Sequence, residues 1–523
     1  MNFLKRFQYA RDSYLVTVLI VGIALLINFV ASRHFLRVDL TQNQIYAISS
    51  SSKTLMRDLE DIVTVKVYFS ETLPPNLFAV RQYVDDMLDE LASYSKGRLV
   101  ISRFNPETPD VANEAMKLGI PQIQMNIIQK DKLEVKNGFL GIAILFGDKK
   151  EVLPVVQTTA NLEYDLISAI KKVTAKETKV VAIATGHEEP TLEQDFSQAS
   201  TGISYTLLKK ALDRNYEVRS VTLDEPKALD SVHTLILAGA QKPYTDKEKF
   251  AIDQFLMKGG RLIVLADTVD VKSDLQTAPL DLGLNDLLDQ YGASVEKSLA
   301  LDRSNENASF NQGFMTFMIP YPFWVKAVKK FFDPTSPIVA KLDGVSFPWT
   351  SPLKLTPKDG IQSISLLQTT PDAWTQSEPF NLIPNQIQAP TERKQTSLAV
   401  LLKGNFASFY KGKKSPIGTR DFLQESQKPG QVLVVGNSRF ALDRFAQMFP
   451  QNLAFLLNAV DDMTMDQSLI GIRSKAILEQ PLKELSASER QLVKWIGILL
   501  MPILVILFGL FRHMLRKRHH LWY

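Results

Sequence analysis

Two uncharged apolar runs, one near each end of the chain, constrain this sequence more than anything between them. The first is Y-L-V-T-V-L-I-V-G-I-A-L-L-I-N-F-V-A-S, Tyr14 to Ser32, and the second is W-I-G-I-L-L-M-P-I-L-V-I-L-F-G-L-F, Trp495 to Phe511. A helix rising 1.5 Å per residue crosses a bilayer in about 20 apolar residues. A cleaved signal peptide is the rival reading of the first run. Its apolar part exceeds the roughly 7–15 residues of a signal core, however, and A-S-R-H is a poor small-x-small cleavage site. A buried core helix is the rival for the second run. A basic tail, Arg512, Arg516, Lys517 and Arg518, follows that run directly and favours a span, in which Pro502 is tolerable. Lys5, Arg6 and Arg11 precede the first run, and Arg33 and Arg37 follow it. Positive-inside asymmetry then puts both tails in the cytoplasm. Residues 33 to about 490 fall outside, which in a Gram-negative cell is the periplasm. The expected location is therefore the bacterial cytoplasmic (inner) membrane, with the lipid bilayer as one partner.

At 523 residues and roughly 150 per domain, two to four units are expected. The net charge of +4 sits partly in the two tails, so nucleic acid is not an expected partner. With no cysteine, thiolate metal sites, thiol nucleophiles and dithiol redox chemistry are all removed. Six histidines remain, and no two stand at metal-ligand spacing within the folded region. The pair His519-His520 lies in the tail and reads as a solvated end. No G-x-x-x-x-G-K-[ST] loop occurs, so phosphates are not cradled in the usual way. No metal and no cofactor are expected.

The first outer unit, residues 33–176, opens with a strand at Val63–Phe69 and a loop, Ser70-E-T-L-P-P75. A helix over Leu77–Ser95, a strand at Arg98–Phe104 and a helix at Asp110–Leu118 come next. Strands at Gln122–Gln129, Phe139–Phe146 and Glu151–Val155 and a helix at Leu162–Val173 complete it. The order β-α-β-α-β-β-α resembles a thioredoxin-like fold, with G-I-P at 119–121 resembling its cis-proline corner. The redox chemistry of that fold needs cysteines that this chain lacks. Ser49–Ser52 reads as a cap or linker.

The second unit, residues 177–480, alternates short apolar strands with helices, which implies a mostly parallel sheet covered on both faces. Its strands are Val180–Ala184, Tyr216–Val221, Thr234–Ala238, Arg261–Ala266, Ser397–Leu402 and Gln431–Val435. Helices fall at Ser204–Asp213, Asp246–Lys258 and Asn452–Asp462. In Y-T-D-K-E, Thr245 followed three residues later by Glu248 reads as a capping box. The stretch of about 270–395, rich in Pro, Ser and Thr with scattered aromatics, reads as an insertion of weaker regular structure. The remaining segments are tails at 1–12 and 512–523, spans at 13–32 and 495–511, and a membrane-proximal helix at 481–494.

Several pieces line up in order from one run to the other. They are Y-A-I-S-S-S-S-K-T-L, V-K-V-Y-F-S-E-T-L-P-P, L-E-Y-D-L-I-S-A-I-K-K-V, A-T-G-H-E-E-P and Y-T-D-K-E-K-F-A-I-D-Q-F-L-M-K-G-G-R-L-I-V-L-A-D. V-V-G-N-S-R-F, N-L-A-F-L-L-N-A-V-D-D-M and I-G-I-R-S-K complete the series. Together they resemble the GldG-type auxiliary component of ABC transport systems, a family associated with gliding motility. The resemblance implies an α/β outer part whose second domain is similar to class I glutamine amidotransferases. It also implies an ABC-2-type permease and a cytoplasmic ATPase as partners. With only two spans here, the permease must be a separate chain.

Strand Val180–Ala184 runs out into Gly186-His187-Glu188, where an α/β enzyme would place a catalytic pair. Ligands of doubly wound sheets bind at the carboxyl ends of the strands, and Gly186, His187, Glu188, Gly239 and Asp267 would line such a pocket. An amidotransferase of this type needs a cysteine on a strand-to-helix elbow with a histidine and an acid behind it. The residue at that place is Asp267, followed by Thr268, and nothing nearby reads as its base. The plainer reading is that Gly186 permits a turn and His187 packs or hydrogen-bonds at the sheet edge. Glu188 and Glu189, ahead of Pro190, are expected to face solvent. G-N-S-R-F at 436–440 reads as a strand-to-helix turn. The sequence thus predicts a non-catalytic subunit, with a membrane-anchored carbohydrate-binding module or hydrolase as the rival.

Overall fold

The computed structural model describes residues 48–464 apart from 130–131, 160–161, 176, 194–202, 226, 313–314, 341 and 420, with isolated positions in the terminal segments. The chain divides into two compact units, Met1–Ile477 and Leu478–Tyr523. The first apolar run lies mostly and the second partly outside the described residues, and no helix among the described residues is long and apolar enough to cross a membrane. In the second run the described positions are helical and expose large apolar groups, Trp495, Leu500, Ile506 and Phe508 among them.

The first part of the larger unit begins with α1 (Ser50–Arg57). Ser49 is its N-cap and its hydroxyl accepts from Ser52 N at 3.2 Å, so the serine run starts a helix rather than linking. Then come β1 (Val63–Phe69), α2 (Pro75–Tyr94), β2 (Leu99–Phe104) and α3 (Pro109–Leu118). β3 (Ile123–Gln129) pairs with β4 (Lys132–Gly138), a strand not expected from sequence, to form a hairpin of its own. β5 (Leu140–Phe146), β6 (Lys149–Leu153) and α4 (Leu162–Thr174) close the part. The four-stranded sheet runs β2-β1-β5-β6, with β1 parallel to β2 and antiparallel to β5. Alternation along β1 decides the layers. Val63, Val65, Val67 and Phe69 pack with Val84, Leu88 and Leu91 of α2 and with α4, while Tyr68 turns to Ala115 of α3. Each such side chain stabilises the fold by about 1.5–3 kcal/mol. Glu378–Pro379 is the cis peptide bond among the described residues. The Ile120–Pro121 bond is therefore trans, which corrects the likeness of G-I-P to a cis-proline corner.

The second part is built on one mixed sheet. β22 (Gly430–Val435), β10 (Arg261–Leu265), β9 (Val232–Ala238), β7 (Val180–Ala184) and β8 (Glu217–Val221) are parallel neighbours in that order. β21 (Ser397–Gly404) joins β22 antiparallel, and β13 (Ala293–Val295), β18 (Leu353–Leu355) and β19 (Ile361–Gln368) extend the sheet beyond it. The expectation of a mostly parallel sheet thus holds for one half only. Both faces are covered because side chains alternate. Val181, Ile183, Ile236, Ile263 and Val435 face one core, and Ala182, Leu235, Leu262, Val264 and Val434 face the other. The second core is closed by α6 (Asp246–Met257) and α7 (Asn285–Tyr291). The first is closed by α5 (Thr206–Leu212), α9 (Pro450–Thr464) and the inserted segment.

That insertion is more regular than its composition suggests. Besides the short pairs β11 (Val269–Val271) with β12 (Thr277–Pro279) and β14 (Leu299–Leu301) with β20 (Trp374–Gln376), it holds a three-stranded sheet. The three strands are β15 (Asn305–Gln312), the 14-residue β16 (Met315–Val328) and β17 (Gly344–Pro348). The scattered aromatics explain this order. Trp324 stands edge-on to Trp349 at 5.6 Å and to Phe445 of α8 (Asp443–Met448) at 5.4 Å, so distant residues make one cluster.

Candidate functional site

The parallel strands β7, β9, β10 and β22 end on one edge of the sheet, and the loops leaving them carry the candidate residues. Gly186 leaves β7 at φ +122° and its amide donates to Glu189 Oε2 at 3.0 Å. The His187 amide donates to the same oxygen at 2.7 Å. Glu189 is therefore folded back under its own loop, with a side chain only 6% exposed, which corrects the expectation that it faces solvent. Two backbone amides and the imidazole are what draw it in. Glu188 does face solvent, paired with Lys242 at 2.7 Å.

His187 is buried, and its partners come from α6, from the segment just before that helix and from its own loop. Nε2 lies 3.2 Å from the Glu248 carboxylate, Nδ1 lies 3.4 Å from Glu189, and the ring packs on Tyr244 at 4.2 Å between centroids. Glu248 is also the third residue of α6, where its carboxylate accepts from the Thr245 amide at 2.7 Å while the Thr245 hydroxyl accepts from Glu248 N at 3.4 Å. The capping box read from the sequence is present, and His187 is hydrogen-bonded onto it. Burial pushes the Glu248 carboxyl up, but the Thr245 bonds and His187 outweigh it and hold the group below the usual range.

Asp267 follows β10 and is almost fully buried. Burial raises its carboxyl above the usual range against the lowering influence of Arg439 and Ser438. Oδ1 accepts from the Ser438 amide at 3.0 Å and from Asn437 Nδ2 at 3.4 Å, and Oδ2 accepts from the Ser438 hydroxyl. G-N-S-R-F is thus the turn expected, and its side chains also clamp the neighbouring strand end. Arg439, the next residue, pairs with Asp270 at 2.8 Å.

Glu188, Gly239 and Asp267 line one cleft of about 1190 Å³, whereas Gly186 and His187 are not among its walls. The opposite wall comes from the insertion, with Asn307 and Ser309 of β15, Trp324 and Trp349. Arg439 and Arg444 complete it. Arg439 Nε and Trp324 Nε1 are buried there without a hydrogen-bond partner. Of five non-glycine residues at positive φ among the described residues, Glu188, Leu275 and Trp349 line this cleft. Such conformations cost of order 1–3 kcal/mol each and cluster where function over-determines the backbone. The sequence reading missed the insertion's wall and Arg439. Their only local signals were isolated tryptophans and one short glycine turn. No group of three or more acidic or histidine side chains among the described residues is placed to hold a metal ion.

The profile of the family described as "ABC-type uncharacterized transport system" matches residues 178–459, more than half of the chain. The chain belongs to this family. Residues 42–145 match a second profile, a domain of unknown function, DUF7088. A protein of Borreliella burgdorferi is 23% identical over 498 residues, covering 92% of this chain and 93% of that protein. Among solved structures, the mmIFT52 N-terminal domain is 15% identical with a TM-score of 0.33, covering 55% of this chain and 98% of that one. A ThuA-like protein from Bacteroides uniformis is 14% identical with a TM-score of 0.31, over 56% and 97%. A glutamine amidotransferase from Thermotoga maritima is 8% identical with a TM-score of 0.24, over 58% and 97%. The last three likenesses are too slight to carry a function.

Proposed function

We propose that this member of the ABC-type transport family is a non-catalytic, GldG-type auxiliary subunit, held in the bacterial cytoplasmic membrane by a span at each end. Its outer body, a thioredoxin-like part followed by an amidotransferase-like part, docks on an ABC-2-type permease served by a separate cytoplasmic ATPase. There it helps to receive, gate or hand on the substrate. The observation that carries this reading is the family match over residues 178–459. The site supports its non-catalytic side. Both oxygens of Asp267 are engaged by the 437–438 turn, and His187 is engaged by the α6 cap instead of lining the cleft.

Affinity purification of the full-length protein from its own membranes tests this reading. A permease and an ATPase of the ABC class should co-purify in fixed ratio. Recovery of neither from intact membranes would refute the proposal. The second reading, a membrane-anchored carbohydrate-binding module or hydrolase, is favoured by one observation, the cleft with Trp349 and Trp324 on its wall. It predicts saturable binding or cleavage of an oligosaccharide by the purified chain without the permease.

A further inference from the structure

A second cavity, of about 500 Å³, lies far from the cleft, at the seam where α4 meets the amino-terminal ends of β7 and β10 and the end of α9. Its size is that of a small-ligand site. The seam beside it is held by Asn215 Nδ2, which donates to the Tyr164 hydroxyl at 2.7 Å, and by Arg214 with Asp165 at 2.9 Å. Four cationic side chains line the cavity, Lys171 and Lys172 from α4, Lys179 from the connecting segment and Arg261 from the start of β10. Two carboxylates, Glu177 and Asp462, line it as well, so the cations exceed the acids. Asp462 is engaged by Lys403 at 3.4 Å, and Lys172 by Glu151 at 2.9 Å.

Lys179 and Arg261 are different. Neither has a carboxylate partner among the described residues, and Lys179 Nζ lies 3.2 Å from Nε2 of the His233 ring. The Arg261 Nε is buried with no hydrogen-bond partner, and so is the hydroxyl of Ser168, a cavity residue only 4% exposed. Burial, then Lys179, then Arg261 all hold the His233 imidazole below its usual range, which marks the local field as positive. Native structures seldom leave several buried polar atoms around one cavity unsatisfied. A guanidinium Nε and a hydroxyl that both lack an acceptor, beside an ammonium with no carboxylate partner, call for a compact ligand rich in acceptor oxygens.

We propose that this seam cavity binds an oxyanion of the phosphate class, with Arg261 as its forked contact, Lys179 as the second cation and Ser168 as a neutral donor. The anion would tie α4 to β10 and so link the two parts of the outer body. A free phosphate and a phospholipid headgroup share this chemistry, and the test separates them. The full-length protein in neutral detergent is melted at constant ionic strength against inorganic phosphate, against a short-chain phosphatidylglycerol and against chloride. A saturable rise in melting temperature is expected with phosphate, with the lipid or with both, and none with chloride. Saturation by free phosphate assigns a soluble source, and saturation by the lipid alone assigns a headgroup. Arg261→Gln should raise the midpoint concentration by about tenfold or more, as loss of one charge-assisted contact implies. Should that variant fail to fold, Lys179→Gln, at a half-buried position, must show the same direction of change. Arg439→Gln in the cleft should leave the midpoint unchanged. Absence of any saturable rise, or midpoints unmoved in both the Arg261 and Lys179 variants, would overturn the assignment.

Discussion

Replacing His187 by alanine separates the structural role of the β7 loop from a chemical one. The side chain is buried, and its removal deletes three contacts. The hydrogen bond to the Glu248 carboxylate is of the charged class, worth about 1.5–3 kcal/mol. The ring contact with Tyr244 adds about 0.5–1.5 kcal/mol. The approach to Glu189 at 3.4 Å is longer and adds less. Glu248 keeps its bonds from Thr245, and Glu189 Oε2 keeps the amides of residues 186 and 187, while Glu189 Oε1, buried without a hydrogen-bond partner, loses only the approach of the ring. The expected loss is therefore in the lower half of the sum, about 2–3 kcal/mol. For a domain of 150–250 residues that lowers the melting temperature by about 4–12 °C, and by less if a larger body unfolds as one. The assay is thermal melting of the purified full-length protein beside co-purification of the permease and transport in cells. Assembly and transport should survive. A double-mutant cycle with Glu248→Gln should show coupling of about 0.5–3 kcal/mol, because the two side chains are in contact. A His187→Ala complex that is stable and fully assembled but transports nothing would refute this reasoning and restore a ligand-binding or catalytic role.

Three further outcomes are expected. Asp267 has a raised pKa in the folded protein, so folded chains bind its proton more tightly than unfolded ones. Its contribution is fully present below the ordinary carboxylate range and is lost as pH rises through the raised value. Asp267→Asn should flatten that part of the stability–pH curve in denaturant titrations, and an unchanged curve would show that Asp267 is not the group responsible. Gly239→Ala should be severe, because φ is +73° and an added Cβ would meet the Tyr205 hydroxyl at 2.7 Å and Pro190 Cδ at 2.8 Å. Gly186→Ala should cost only the backbone term of about 1–2 kcal/mol, since Thr222 Cγ2 at 3.9 Å leaves room. Equal melting temperatures for the two alanine variants would contradict this ranking. A reporter active only outside the cytoplasm should work when fused after Gly97 and be silent after Tyr523, and activity at the carboxyl end would overturn the two-span topology.

What the sequence determined by itself was short in range. Alternating or continuous apolar residues placed β1, β7, β9, β10 and β22, because burial of a strand face is written in its own few residues. Thr245 and Glu248 stand three residues apart, so the capping box that starts α6 was readable for the same reason. Tertiary structure decided the rest. Glu189 looked like a solvent-facing loop acid until its own loop folded over it and brought two amides to one oxygen. Serine and proline content between residues 270 and 395 gave no hint of a 14-residue strand. β16 is ordered by pairing with β15 and β17 and by Trp324 meeting Trp349 and Phe445, contacts that no local pattern records. Ser438 holds Asp267 across 171 positions of sequence, and Asp443 Oδ1 receives the Leu207 amide across 236. Which carboxylate is locked and which cation is left without a partner depends on how strands meet across the sheet. Residue type and spacing along the chain carry no record of that meeting, because register and side-chain direction are settled only when distant segments pack.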